Sequence, residues 1–151
     1  MINVLVVDDH AIIRKGLKQI LDDTNDMRVA GEADCGMQAI HMAQTGAYEL
    51  VLLDISLPDK HGVEVLKQLK LNQPQLSVLM LSMHAEDQYA VRAMKAGASG
   101  YLNKQSAPAQ LVEAIRQVSN GKKYISNELA QKLAEGLTEG FHELLHQSLS
   151  N

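Results

Sequence analysis

The sequence predicts an α/β protein built on a doubly wound parallel sheet, and three observations carry that expectation. Near-continuous apolar runs at Asn3–Val7, Leu50–Leu53 and Leu76–Leu81 have the length and branching of strands buried on both faces, unlike the alternating pattern of half-wet strands. Stretches with helical apolar spacing separate them. Turn residues mark the boundaries at Gly46, Pro58, Gly62, Pro74, Gly97 and Gly121.

Taken in order, the first strand, Asn3–Val7, is followed by a helix carrying Ile12, Ile13, Leu17, Ile20 and Leu21. A weaker strand fits Arg28–Ala33, and Ala39, Ile40 and Ala43 mark the second helix. After the strand at Leu50–Leu53, the set Val63, Val65, Leu66 and Leu69 predicts the third helix, which leads to the strand at Leu76–Leu81. Helices at about Asp87–Ala96 and Pro108–Asn120 flank a short strand at Ser99–Leu102. Five strands alternating with five helices require crossover connections, and right-handed crossovers place helices on both faces of a parallel sheet. Beyond Gly121 the pattern changes: Leu129, Leu133 and Leu137 are four apart and predict an amphipathic helix over about 126–139, interrupted by Gly136 and Gly140. Residues 1–121 therefore read as one domain and 122–151 as a linker helix region.

Composition narrows the function classes. Of 151 residues, 46% are hydrophobic and 21% charged, ordinary values for one globular core. With no Trp and 3% aromatics, that core is aliphatic. Fourteen Lys and Arg against 18 Asp and Glu give a formal charge of -4, which argues against a basic nucleic-acid grip by this segment itself. A single cysteine, Cys35, excludes a disulfide framework or a cysteine-rich zinc site. The start MINVLVVDDH has no basic leader and no apolar run approaches membrane-spanning length, so a soluble cytoplasmic protein without a membrane partner is expected.

Ligands of open α/β sheets bind beyond the carboxyl ends of the strands, so the polar residues there are the candidates. Asp8 and Asp9 follow the first strand, Asp54 ends the third, Ser82 ends the fourth and Lys104 follows the fifth. Three carboxylates, a hydroxyl and an ammonium thus converge at one sheet edge. Clustered carboxylates repel one another and are relieved by a hard cation or by raised pKa values, and an open half-shell of oxygens suits Mg²⁺. Lys104 and Ser82 suit a phosphoryl group, and an Asp in such a site can itself be the nucleophile that forms an aspartyl phosphate. Singly, each Asp reads equally well as a helix cap or a turn residue, Asp9 above all. The specificity lies in all five falling at carboxyl ends.

The stretches VLVVDDH, LLDISLPDKHG, MLSMH and AGASGYLNK, in that order over about residues 2–121, resemble the receiver domain of two-component response regulators, in the NarL/FixJ subfamily and of the GacA/UvrY type. Pro58 and Gly62 stand four and eight residues past Asp54, as in that family's loop after its phosphoacceptor. GKKYIS and the final SLSN are similar to the linker and the first residues of the subfamily's LuxR-type helix-turn-helix domain. The resemblance implies strand order 2-1-3-4-5, phosphorylation of Asp54 by a sensor histidine kinase, and Mg²⁺ held by Asp8, Asp9, Asp54 and the backbone carbonyl of Ser56. It implies that Lys104 neutralises the phosphoryl group, Ser82 swings toward it and Tyr101 follows by changing rotamer. It also implies a DNA-binding domain absent from this chain, and a possible homodimer. Two positions depart from the family pattern. Gln105 stands where many receivers have Pro, which leaves open a cis peptide after Lys104. Ser56 stands where many have Asn or a larger residue, which leaves the phosphoryl lifetime open.

Other features carry less. His142-Glu143-Leu144-Leu145-His146 fits the zinc pattern H-E-x-x-H, but only five residues follow it, with no third ligand among them. His10, His41 and His84 read as solvated, Cys35 as a buried small residue, and Met80 and Met83 as neighbours of the site. Two further functions compete with a DNA-linked receiver: a stand-alone receiver acting through protein partners, and a Mg²⁺-dependent phosphatase of the haloacid-dehalogenase type. The latter requires a second Asp two residues after its nucleophile, where this chain has Ser56.

Overall fold

In the computed structural model, which describes residues 1–83, 88–105, 107–127 and 129–135, strands and helices alternate throughout. They are β1 (Ile2–Val7), α1 (Ala11–Asp22), β2 (Met27–Ala33), α2 (Gly36–Thr45), β3 (Leu50–Asp54), α3 (Gly62–Asn72), β4 (Ser77–Ser82), α4 (Gln88–Lys95), β5 (Gly100–Asn103) and α5 (Ala107–Ser119). All strand pairs are parallel and the order is β2-β1-β3-β4-β5, as expected.

The strand period of two sorts the core into two layers. Val4, Val6, Leu50, Leu52, Leu79, Leu81 and Leu102 face α1 and α5, where Leu17, Leu21, Leu111, Ala114 and Ile115 close the layer. Leu5, Val7, Val51, Leu53, Val78 and Met80 face α2, α3 and α4, meeting Ala39, Ala43, Leu66, Ala90 and Ala93. Both faces of β1, β3 and β4 are covered, which is why these strands read as unbroken apolar runs. β2, at the sheet edge, alternates buried and exposed residues, so its signal in the sequence was weaker.

The other edge, β5, is covered by the returning chain. Tyr124 forms a parallel bridge with Gly100, accepting from Tyr101 N–H at 3.1 Å and donating to the Ser99 carbonyl at 3.0 Å. A Cβ at Gly100 would come within 2.6 Å of the Tyr124 carbonyl oxygen, so this contact requires glycine. Residues 129–135 are helical and bury Leu129 in the layer that holds α4, with Leu133 and Ile125 beside it. The amphipathic stripe therefore packs on its own sheet over the described residues. Leu137 and the stretch from Phe141 to Leu149 lie outside them, as do His84, Asp87 and the H-E-x-x-H pattern.

Several expectations are corrected. Ile12 is 87% exposed: Ile13, Leu17, Ile20 and Leu21 form the inward stripe, and Ile12 lies a third of a turn off it. The N-cap of α1 is His10, so Asp9 is no cap. Cys35 is half-buried rather than buried. Among the described residues no peptide bond is cis, so the bond after Lys104 is trans. Nor is any described helix long and apolar enough to cross a membrane.

Candidate functional site

The crossover direction reverses between β2 and β3, so the connections after β1 and β3 part and leave a crevice at the carboxyl ends of these two strands. Into it the sheet delivers Asp8, one residue past β1, and Asp54, the last residue of β3. Both are buried, Asp8 completely. Asp8 is held from behind by its own N–H to the Ala33 carbonyl at 3.1 Å, and Arg14 Nη1 donates to its carbonyl oxygen at 2.6 Å. Asp54 Oδ1 accepts from Ser56 N–H at 3.1 Å, which turns the chain sharply away from the strand.

Lys104 closes the site from the β5 side. Its backbone N–H donates to the Ser82 carbonyl at 2.7 Å, hooking the chain after β5 onto the end of β4. Its Nζ lies 2.7 Å from Asp8 Oδ2 and 3.1 Å from Asp54 Oδ2. Beyond that ammonium, neither of these buried oxygens has a hydrogen-bond partner among the described residues, so Lys104 alone balances them. Burial pushes the Asp54 carboxyl above its ordinary range, with Asp8 adding to the rise and Ser56 N–H and Lys104 opposing it. Burial pulls Lys104 down, but the hydrogen bonding and charge of Asp8 and Asp54 outweigh it and hold the ammonium above its usual range.

Asp9 stands at the mouth, and His10 Nδ1 lies 3.0 Å from both Asp8 Oδ1 and Asp9 Oδ1. Asp8, Asp9, His10 and Asp54 each bring a ligand atom within 4.8 Å of the others. Three carboxylates face one ammonium here, a surplus of two negative charges. Together with two buried oxygens short of hydrogen bonds, this donor set fits a hard divalent cation. Ser82 is buried at the end of β4, and Tyr101 is buried in β5 within the α4-side layer.

The expected Asp8, Asp9, Asp54 and Lys104 are thus brought together, and Ser56 adjoins Asp54. Three contacts were missed. His10 is solvated as expected, its side chain 62% exposed, but nothing in a single His after two acids announces a ring turned back onto them. Arg14 reaches the Asp8 carbonyl one helical turn into α1 and pairs with Glu32 at 3.2 Å. Asp59, three residues past Ser56, binds backbone N–H groups of α2, a partner no local pattern announces.

Residues 4–116 match the family described as response regulator receiver domain. The chain belongs to this family. The response regulator UvrY of Escherichia coli (strain K12) is 41% identical over 132 residues, covering 87% of this chain and 61% of that protein. The response regulator GacA of Pseudomonas aeruginosa is 40% identical over 132 residues, with 87% and 62% covered. Among solved structures, a LuxR-family two-component response regulator from Aurantimonas sp. SI85-9A1 superposes with a TM-score of 0.81 at 31% identity, covering 90% of this chain and 97% of that one. This chain spans about 61% of the length of the curated relatives it matches. As the receiver domain of a two-component response regulator it is a phosphoacceptor regulator rather than a classical enzyme, and the dehalogenase-type phosphatase reading is set aside.

Proposed function

We propose that Asp54 is the phosphoacceptor and that a cognate sensor histidine kinase is the donor. The observation that carries this reading is the pairing of one buried ammonium, Lys104 Nζ, with two buried carboxylates at 2.7 and 3.1 Å. Asp8 Oδ1 is engaged twice by His10, through its N–H at 2.9 Å and its ring at 3.0 Å, whereas among the described residues Asp54 Oδ1 meets the Ser56 N–H alone and Asp54 ends its strand at the crevice. A carboxylate oxygen of Asp54 attacks phosphorus while the bond from phosphorus to the donor's leaving nitrogen breaks, and the electron pair stays with that nitrogen. Lys104 then exchanges its contact with the Asp54 carboxylate for the new phosphoryl oxygens.

The resident cation in this reading is Mg²⁺, held by Asp8, Asp9, Asp54 and the Ser56 backbone carbonyl; when bound, it offsets the charge that gathers on the phosphoryl oxygens. Ser82, buried at the end of β4, supplies a hydroxyl for a phosphoryl oxygen, and Tyr101 repacks in the α4-side layer as Ser82 and Lys104 move. The phosphoryl group carries about two negative charges where the carboxylate held one, and this net gain, moved outward onto three oxygens, drives the change.

At larger scale, residues 1–121 are the receiver and 122–151 a linker region, and in the longer protein this unit regulates a DNA-binding helix-turn-helix domain. The LuxR-family solved structure and the greater length of UvrY and GacA support that division. With a formal charge of -4, the 151-residue chain by itself should leave promoter DNA unshifted in electrophoresis.

The test of the acceptor is intact-protein mass after incubation with acetyl phosphate, with and without Mg²⁺, beside Asp54→Asn. One added phosphoryl group in the wild type, dependent on Mg²⁺ and absent from the variant, is the expected result. Phosphorylation of Asp54→Asn to the same extent, or none of the wild type, would overturn the assignment.

A further inference from the structure

The loop between β3 and α3 carries Ser56 and is pinned at both ends. At its base, Gly62 N–H donates to the Ile55 carbonyl at 2.7 Å, and Ser56 and His61 form an antiparallel bridge. A Cβ at Gly62 would lie 2.5 Å from Ile55 Cα and 2.6 Å from the Asp54 carbonyl oxygen, so the base closes only over glycine. At its tip, Asp59 reaches across to another element: Oδ1 accepts from Gly36 N–H at 2.7 Å and Oδ2 from Met37 N–H at 3.0 Å. These are the first two amides of α2. The helix's own N-cap residue, Cys35, makes no side-chain cap bond, and its first turn holds no acid. The donors and dipole of α2 are therefore answered from the Asp59 loop. Gly36 makes the approach possible, since a Cβ there would meet Val65 Cγ2 at 2.7 Å and Asp59 Oδ1 at 3.3 Å. The two backbone bonds hold the Asp59 carboxyl below its ordinary range, as expected of a carboxylate engaged at both oxygens.

We propose that Asp59 is a positioning residue for the receiver's cation site: by tying the tip of the Ser56 loop to the start of α2, it holds the Ser56 backbone in register with Asp54. This rests on the reading of Ser56 and Asp54 as cation ligands. The tie acts at one remove, along the chain from Asp59 back to Ser56, on a ligand that enters the site through its backbone carbonyl. Asp59 touches neither the cation nor the phosphoryl group. Its loss leaves the carboxylates in place but lets the remaining ligand wander, so it weakens capture of the cation rather than the chemistry that follows.

The experiment is Mg²⁺ titration by calorimetry of the 151-residue chain, wild type beside Asp59→Ala and Asp59→Asn, with the rate of acetyl-phosphate labelling measured across the same Mg²⁺ range. Asp59→Ala should raise the half-saturating Mg²⁺ by about tenfold, the lower range for loss of a group that orients a metal ligand. At saturating Mg²⁺ its labelling rate should return to that of the wild type. Asp59→Asn, which keeps one acceptor oxygen, should fall between the two, and it secures the comparison if the alanine variant loosens α2. A mere helix cap would lower the Tm of both variants without moving half-saturating Mg²⁺, and that outcome overturns the proposal while leaving the cation site intact. If the wild type binds no Mg²⁺, the underlying site reading and the proposal fall together.

Discussion

Lys104 shows most directly how one side chain sets the state of its neighbours. Its ammonium is 7% exposed and stands between two buried carboxylates, so deleting it leaves like charges facing each other at short range. Lys104→Ala should lower stability by about 2–3 kcal/mol, less than the 3–5 kcal/mol typical of an enclosed pair because the Asp9 side of the pocket is open to water. Chemical denaturation checks this, and adding Asp54→Asn to that variant should restore much of the loss. Asp54→Asn alone acts in the opposite direction. Burial holds the Asp54 carboxyl above its ordinary range, so the ionised form is the one that folding disfavours. Replacing it by the neutral isostere should raise Tm in Mg²⁺-free buffer by about 2–4 °C, which at this chain length is about 1 kcal/mol. A scanning calorimeter would show it, and a lower Tm for the variant would refute the account of Asp54.

At the scale of elements, the segment after α5 links the edge strand to the chain's end. Tyr124 extends the sheet beside β5, and Leu129 is fully buried against the α4-side layer that contains Tyr101. Leu129→Ala should cost about 2–4 kcal/mol, as for other large-to-small changes in an aliphatic core. Its local effect should be faster amide exchange at Tyr101 and Tyr124, whose N–H groups form the bridge, with β1 and β3 still protected. Uniform loss of protection across the sheet would show instead that this segment is not separable from the core. How legible each element was depends on how local its determinants are. β1, β3 and β4 declared themselves because both their faces are apolar, and the carboxylates at their ends were placed by topology alone. Ile12 misled because a helix of isoleucines does not say which one begins the stripe. The Asp59 tie to α2 was invisible, since its donors are backbone N–H groups 22 and 23 residues away that carry no side-chain signature. His10 lay in plain view beside Asp8 and Asp9, but the direction of its ring is a tertiary fact.

For the molecule as a whole, these charges predict how stability responds jointly to pH and cation. A carboxyl raised by folding imposes a penalty that is full above its folded pKa and fades as pH falls toward its ordinary 3.8. Asp59 and Asp26 are lowered, by the Gly36 and Met37 amides and by Arg116 respectively, so each contributes stability that is lost as pH falls through its folded pKa. Lys104, held above 10.5, contributes stability below that value and loses it only as pH rises through its folded pKa. The raw acid limb of the stability curve thus mixes opposing signs, and the informative quantity is the difference between wild type and Asp54→Asn. In Mg²⁺-free buffer that difference, in favour of the variant, should shrink as pH is lowered from neutrality toward the ordinary carboxylate value of 3.8 and the wild-type carboxyl gains its proton. Mg²⁺ should reverse the order at neutral pH, since it binds the ionised cluster and stabilises the fold by RT ln(1 + [L]/Kd). The rise in Tm on adding Mg²⁺ should itself decline on acidification, because protons and cation compete for the same oxygens. Thermal scans of both proteins over that pH range, with and without the cation, measure all of this at once. A Mg²⁺-induced rise that is independent of pH, or equal in the two proteins, would place the cation away from Asp54.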